Sequence, residues 1–254
     1  MTAEQMKAVA DAVKALATPA TVDFSEVVYE SETFPNSFKS NANLAGIVFP
    51  QNVTKTASAA FQKTGMTSVT LLKGISYGSN AFDSCASLVS VTVEEGVTEI
   101  GNYMFQNTKL TDVTLPNSVT KIGASAFNGC SLTTINFGQG VKTIENSAFQ
   151  NCGELTEIIL PDATETLGQN AFGDCPKLAK ISLGKNMKTL EAYCFVGYSK
   201  GCPLLGDIIC RATTPPTLKD DYGTGPFGGG WSPVAGKDVP AENRIIPVSY
   251  THLR

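Results

Sequence analysis

Apolar positions along this chain return at two nested spacings. Phe recurs at Phe38, Phe61, Phe82, Phe105, Phe127, Phe149, Phe172 and Phe195, at intervals of 23, 21, 23, 22, 22, 23 and 23 residues. Between one Phe and the next the pattern is itself constant. Counted from Leu88, offsets of 3, 5, 9, 12 and 17 give Val91, Val93, Val97, Ile100 and Phe105, and the same offsets hold from Leu110, Leu132, Leu155 and Leu178. The first pair alternates at period two, which predicts a short strand with one buried face. A turn follows, with Pro116 or Pro161 closing the strand in two of the units. A second apolar pair, such as Val119 and Ile122, turns the chain inward again, and an Ala-Phe pair then drives a ring into the interior. One unit cannot bury these side chains alone, so neighbouring units must stack as coils.

A period in this range is that of a leucine-rich-repeat solenoid, β-rich with short strands and turns. Eight coils are predicted over residues 38–217. The first is degenerate, since Thr56 holds the usual Ile position. The second is one residue short between Gly78 and Phe82. The eighth carries four extra residues around Ser199 to Pro203, and an insertion in a repeat maps to a loop. Residues 1–37 read as an N-terminal helix and cap. Met6, Val9, Val13 and Leu16 recur at helical spacing, Thr2 and Gln5 have capping-box spacing, and Pro19 ends the helix. This helix reads either as a cap on the first coil or as a partner-binding or oligomerising element. Val22, Phe24, Val27, Val28 and Tyr29 suggest a degenerate first strand.

Residues 218–254 read as an irregular Gly-rich C-terminal cap, expected to be truncated. Phe227 and Trp231 in it either cover the last coil or form an aromatic ligand site beside the Gly-rich loop. The last eight residues, Pro247-Val-Ser-Tyr-Thr-His-Leu-Arg254, break the pattern. They resemble translated sequencing-adapter sequence, which would make His252 foreign to the protein.

Composition narrows the function classes. Of 254 residues 17% are charged and 42% hydrophobic, which fits a folded chain rather than a disordered one. The net charge of −4 and the lack of a basic cluster argue against a nucleic-acid partner. No apolar run has the length of a membrane helix. Met1 to Leu16 lacks the basic start and unbroken apolar core of a signal peptide.

Candidate chemistry is sparse. Cys85, Cys130, Cys152 and Cys175 each follow a repeat Phe by three residues, a slot where other coils place Thr or Asn. No Cys-x-x-Cys pair exists, so zinc is not expected. Cysteines on consecutive coils would lie about 5 Å apart, a spacing that permits a disulfide, although buried thiols acting as small apolar groups suit the slot better. Cys194, Cys202 and Cys210 cluster near the insertion, where a disulfide from Cys202 stays open. With His252 in the aberrant tail, no Ser-His or Cys-His arrangement is available. Glu94-Glu95 and Asp220-Asp221 are adjacent in sequence and diverge on a strand or turn, so neither reads as an acid/base couple. Gly228-Gly-Gly230 lacks the Lys-Ser/Thr of a phosphate loop, and no calcium loop is present. No catalytic, cofactor or metal site is expected.

What remains is the outward face of the strands. With the apolar residues of each strand inward, one outward column reads Ser68, Ser90, Asp112, Thr134, Glu157, Lys180 and Asp207. The next reads Thr70, Thr92, Thr114, Asn136, Ile159, Ser182 and Ile209. Ser90 to Lys180 in the first column and Thr92 to Ser182 in the second form the candidate partner-binding surface. A fixed inward frame with variable outward groups suits recognition of a protein. The same small polar residues also suit a solvated strand that serves only as a spacer displaying another part of a longer chain. The columns lack the Tyr, Trp and Arg anchors of tight interfaces and the aromatic rings of a nucleic-acid stacking platform.

Units of the type Leu110-Thr-Asp-Val113-Thr-Leu115-Pro116-Asn-Ser-Val119-Thr-Lys-Ile122-Gly123-Ala-Ser-Ala126-Phe127-Asn-Gly-Cys130 resemble the BspA-like leucine-rich repeat family. The resemblance covers residues 38–217 and rests on the spacing, the Pro, the Ile-Gly and the Ala-Phe together. It implies a curved, non-enzymatic solenoid on bacterial or protist cell surfaces, or secreted, with an adhesion role toward host surface or matrix proteins. It also leads us to expect this chain to be part of a longer protein, since no export signal or anchor is visible.

Overall fold

The structure, a computed structural model, describes residues 1–195, 201–212, 214–219 and 245–247. The segment from Gly223 to Trp231 with its Phe227, the Asp220-Asp221 pair, Gly228-Gly-Gly230, Ser199 and His252 lie outside the described residues.

The repeat folds as a β-solenoid of about eight turns, with one short helix before it. The first strand of each unit joins a long parallel ladder. Its rungs run from Ala20–Asp23 and Leu44–Val48 through Ser68–Leu71, Ser90–Val93, Asp112–Thr114, Thr134–Asn136, Glu157–Ile159 and Lys180–Leu183 to Asp207–Cys210 and Ile245–Pro247. Hydrogen bonding divides this ladder into four sheets, with breaks after Val48, Val93 and Asn136. Interval length does not decide where the breaks fall. Twenty-two residues separate the paired Ser68 and Ser90, and 22 separate Ser90 from Asp112 across a break. The second apolar pair of each unit forms a short ladder of two-residue strands from Glu99–Ile100 to Thr217–Leu218, six strands in all. Thr33–Phe34 pairs with Lys55–Thr56 in a separate sheet of the same kind.

The core is a column of aromatic rings. Phe61, Phe82, Phe105, Phe127, Phe149 and Phe172 stack face over face, with centroids 5.2–5.7 Å apart and ring planes within 19°. These offsets are favourable for aromatic pairs, and each ring buries a large apolar area. At the N-terminal end the column changes partner. Phe34, one rung before Thr56, lies 5.6 Å from Phe61 and 6.0 Å from Phe38. A large ring thus stands beside the slot where Thr56 replaces the usual Ile.

Each ring sits in a tight arc whose backbone sequence inspection does not reveal. The residues two before and two after the Phe adopt left-handed conformations, as at Asn80 and Ser84, Tyr103 and Asn107, Ser147 and Asn151, and Asn170 and Asp174. Such a conformation costs an L-residue about 1–2 kcal/mol. Its return is directional. The amides of Tyr103, Phe105 and Asn107 all donate to the next coil, to the carbonyls of Ala124, Ala126 and Asn128 at 2.8 Å each. The arc therefore carries its own inter-coil ladder without being a strand.

The N-terminal helix spans Ala3–Lys14, and both halves of the Thr2/Gln5 capping box form. Met6, Ala10 and Val13 are buried against the first coil. Leu16 is 44% exposed, because the helix stops at Lys14 and Leu16 leaves the apolar face. Asn43 closes the other end, its Nδ2 donating to the carbonyls of Lys14 and Leu16 at 3.0 and 2.9 Å. The Lys14 carbonyl is one of the orphan acceptors of the helix terminus.

Candidate functional site

The outward columns form as the register requires. Ser68 pairs with Ser90 and Thr70 with Thr92. Asp112 pairs with Thr134 and Thr114 with Asn136. Glu157 pairs with Lys180 and Ile159 with Ser182. Parallel in-register pairing keeps a residue of one coil over its counterpart in the next, so each column is continuous within a sheet. Between the columns Val113, Ile158 and Ile181 are buried. Ser90, Thr92, Asp112, Thr114, Thr134, Asn136, Glu157 and Ile159 are exposed, and Lys180 and Ser182 are half-buried.

One charge pair on this face is matched from coil to coil. Lys180 Nζ lies 2.8 Å from Glu157 Oε1. Thr111 donates to Asp112 at 2.8 Å. The pairing extends beyond the columns, with Lys177 on Glu154, Lys185 on Asp162, Lys188 on Glu165 and Lys121 on Glu145. Lys185 and Arg211 hold the Asp162 carboxyl below the usual range, and Lys188 does the same for Glu165. These are solvated pairs that add little stability singly.

Clefts lie at two of the breaks in the long ladder. The break between Val48 and Ser68 forms one of about 470 Å³, lined by Gly46, Ile47, Met66 and Val69. The break between Asn136 and Glu157 forms another of about 380 Å³, lined by Ile135, Asn136, Gln139, Ile159 and Arg211. Sequence patterning misses these clefts, because every unit satisfies the same pattern whether or not its strand pairs. It also passes over Arg211, which holds the position after a strand where earlier coils place Glu94, Pro116, Gly138, Pro161 or Gly184.

The cysteines are not a reactive cluster. All seven are free thiols. Cys85, Cys130, Cys152 and Cys175 are buried and donate to the Phe carbonyl of the preceding coil, at 3.1–3.3 Å. Cys202 regains this slot after the insertion, donating to Phe172 at 3.3 Å. Burial pushes the Cys130 thiol up to about 11 and those of Cys152 and Cys194 well above the ordinary value. Half-buried Cys202 moves the other way, held down by its hydrogen bond with Cys175. Among the described residues no group of His, Cys, Asp and Glu could hold a metal ion, and no helix is long and apolar enough to cross a membrane.

No curated protein matches the chain in sequence. Solved structures do. A leucine-rich cell surface protein from Faecalibacterium prausnitzii is 22% identical with a TM-score of 0.52, over 76% of this chain and 60% of that one. A leucine-rich repeat protein from Eubacterium ventriosum is 22% identical with a TM-score of 0.48, over 75% of this chain and 61% of that one. The chain thus spans about three fifths of the length of these two proteins. The likeness to the first is one of fold. Six copies of the BspA type leucine-rich repeat region match residues 22–77 and 75–201, and the chain belongs to that repeat family.

Proposed function

We propose that this chain is a non-enzymatic protein-binding solenoid of a bacterial cell surface, with an adhesion role, and that its partner docks on the outward columns of the long ladder. Leucine-rich repeat proteins are in general scaffolds for protein contact. The observation that carries the reading is a fixed buried frame under exposed groups that change from coil to coil. Asp112, Thr134, Glu157 and Lys180 occupy one column over inward residues that stay apolar. The core sets the shape and the outward groups set the partner. That the Faecalibacterium protein is a leucine-rich cell surface protein supports the location.

A second reading, a spacer within a longer chain, is favoured by the inter-coil ion pairs. Glu157 and Lys180 of the column already answer one another and so offer a partner less. One experiment separates the two. Asp112, Thr134, Glu157 and Lys180 are changed together to Ala, an unchanged melting temperature is confirmed, and binding to extracellular-matrix proteins and intact host cells is measured. The recognition reading expects binding by the parent and a loss of about tenfold or more in the variant. Equal binding by both rejects the columns, and no binding by the parent favours the spacer.

A further inference from the structure

The cleft at the Asn136–Glu157 break joins two chemistries in one lining. One wall is aliphatic, with Ile159 59% exposed and Ile135 half-buried. The other carries the amides of Asn136 and Gln139, the guanidinium of Arg211 and the carboxylate of Asp162. Arg211 reaches back over two coils. Its Nε donates to the Leu183 carbonyl at 3.2 Å and its Nη2 to the Leu160 carbonyl at 2.9 Å, with Asp162 Oδ1 3.3 Å from Nη2. These bonds fix the plane of the guanidinium and use one edge of it. Nη1 has no partner among the described residues. Asp162 is shared, since Lys185 Nζ, outside the lining, also lies 2.9 Å from its Oδ2.

An immobilised guanidinium with open donors is matched by a planar carboxylate. The last residue of a polypeptide carries a carboxylate and a side chain on the same carbon, which is the pairing this lining presents. A volume of about 380 Å³ has room for such an end. We propose that the cleft binds the C-terminal carboxylate of a partner polypeptide ending in an aliphatic residue, with Arg211 on the carboxylate and Ile159 and Ile135 on the side chain. The inference rests on the reading of the long ladder as a recognition face, and it supplies the anchor that the columns lack.

The test is an NMR titration of the whole chain with three probes: N-acetyl-leucine, N-acetyl-leucine amide, and N-acetyl-glutamic acid α-amide. N-acetyl-leucine should shift the Arg211 Nε–H and Gln139 side-chain resonances in a saturable way, and the amide, lacking the charge, should bind about tenfold more weakly. Arg211→Gln should abolish the effect but also frees two backbone carbonyls. Ile159→Glu is therefore the cleaner variant. It leaves the Arg211 bonds in place, sets a carboxylate in the cleft, and should equally abolish binding. Equal affinity for acid and amide, no saturable shift, or tighter binding of the glutamate probe would overturn the proposal. Partner binding that depends on Asp112, Thr134, Glu157 and Lys180 without any N-acetyl-leucine signal rejects the cleft alone. The converse pair of results rejects the columns alone.

Discussion

The thiol of Cys130 donates a hydrogen bond to the carbonyl of Phe105, 3.1 Å away in the preceding coil. The neighbouring coils repeat it, with Cys152 on Phe127 and Cys175 on Phe149. Where the slot holds Thr108 instead, the hydroxyl donates to Phe105 in its own coil at 2.9 Å. The slot thus calls for a small donor that tolerates complete burial, and Cys meets both needs.

Thiol labelling of the native protein should therefore be graded. Cys85, Cys130, Cys152, Cys175 and Cys194 are buried, and Cys202 is half-buried with a thiol held below its ordinary range. Because the thiolate is the reactive form, Cys202 should react first among these six, and the other five only after denaturation. Mass spectrometry of tryptic peptides after timed labelling gives the order. Fast native labelling of Cys130 or Cys152 would contradict the burial.

The buried thiols should make the fold sensitive to alkali. Their folded values lie above the ordinary thiol value. A thiol of this kind ionises first in the unfolded chain, so the unfolded state binds fewer protons and stability falls as pH rises through about 9. Between pH 9 and 11 Cys130 alone should cost on the order of 1–3 kcal/mol, given its rise to about 11. Urea midpoints at pH 7.5, 9 and 10.5 check it. Cys130→Ala should flatten the slope, and an unchanged slope would remove Cys130 as a cause.

Phe149 stacks on Phe127 and on Phe172 at 5.2 Å each and meets the edge of Phe137 at 5.6 Å. Phe149→Ala should destabilise by about 3–5 kcal/mol, and Phe149→Leu by clearly less. Urea denaturation measures both. A loss under about 1 kcal/mol for the Ala variant would mean that the column is not the core's main support.

Ser147 holds a φ of 58° while its amide donates to the Gln169 carbonyl at 2.8 Å. Ser147→Gly removes the left-handed strain but loosens the unfolded chain, so its net effect should lie within about 1 kcal/mol of zero. Ser147→Val should cost more than about 1 kcal/mol, because a β-branched residue resists this conformation. Melting curves of the pair decide it, and a tolerated Val would place the arc elsewhere in φ.

The repeat was legible because burial leaves a simple trace. The positions of Leu88, Val91 and Phe105 are apolar in every coil, since each coil buries its neighbour, and so period and strand faces could be read by counting. The outward columns followed from the same alternation. Other features depend on relations between coils that no single unit records. Cys202 looks displaced in sequence, and only the stacking shows it back over Phe172. The left-handed arcs at Tyr103 and Asn107 carry no consistent residue type, because their reason is an amide aimed along the stacking axis. Ladder breaks and their clefts fall between rungs whose side chains obey one pattern. Arg211 reads as a surface charge until a third coil brings the Leu160 carbonyl within its reach. Hydrophobic periodicity sets which side chains go inside, whereas the offset of one coil on the next decides which backbone groups and charges meet at the surface.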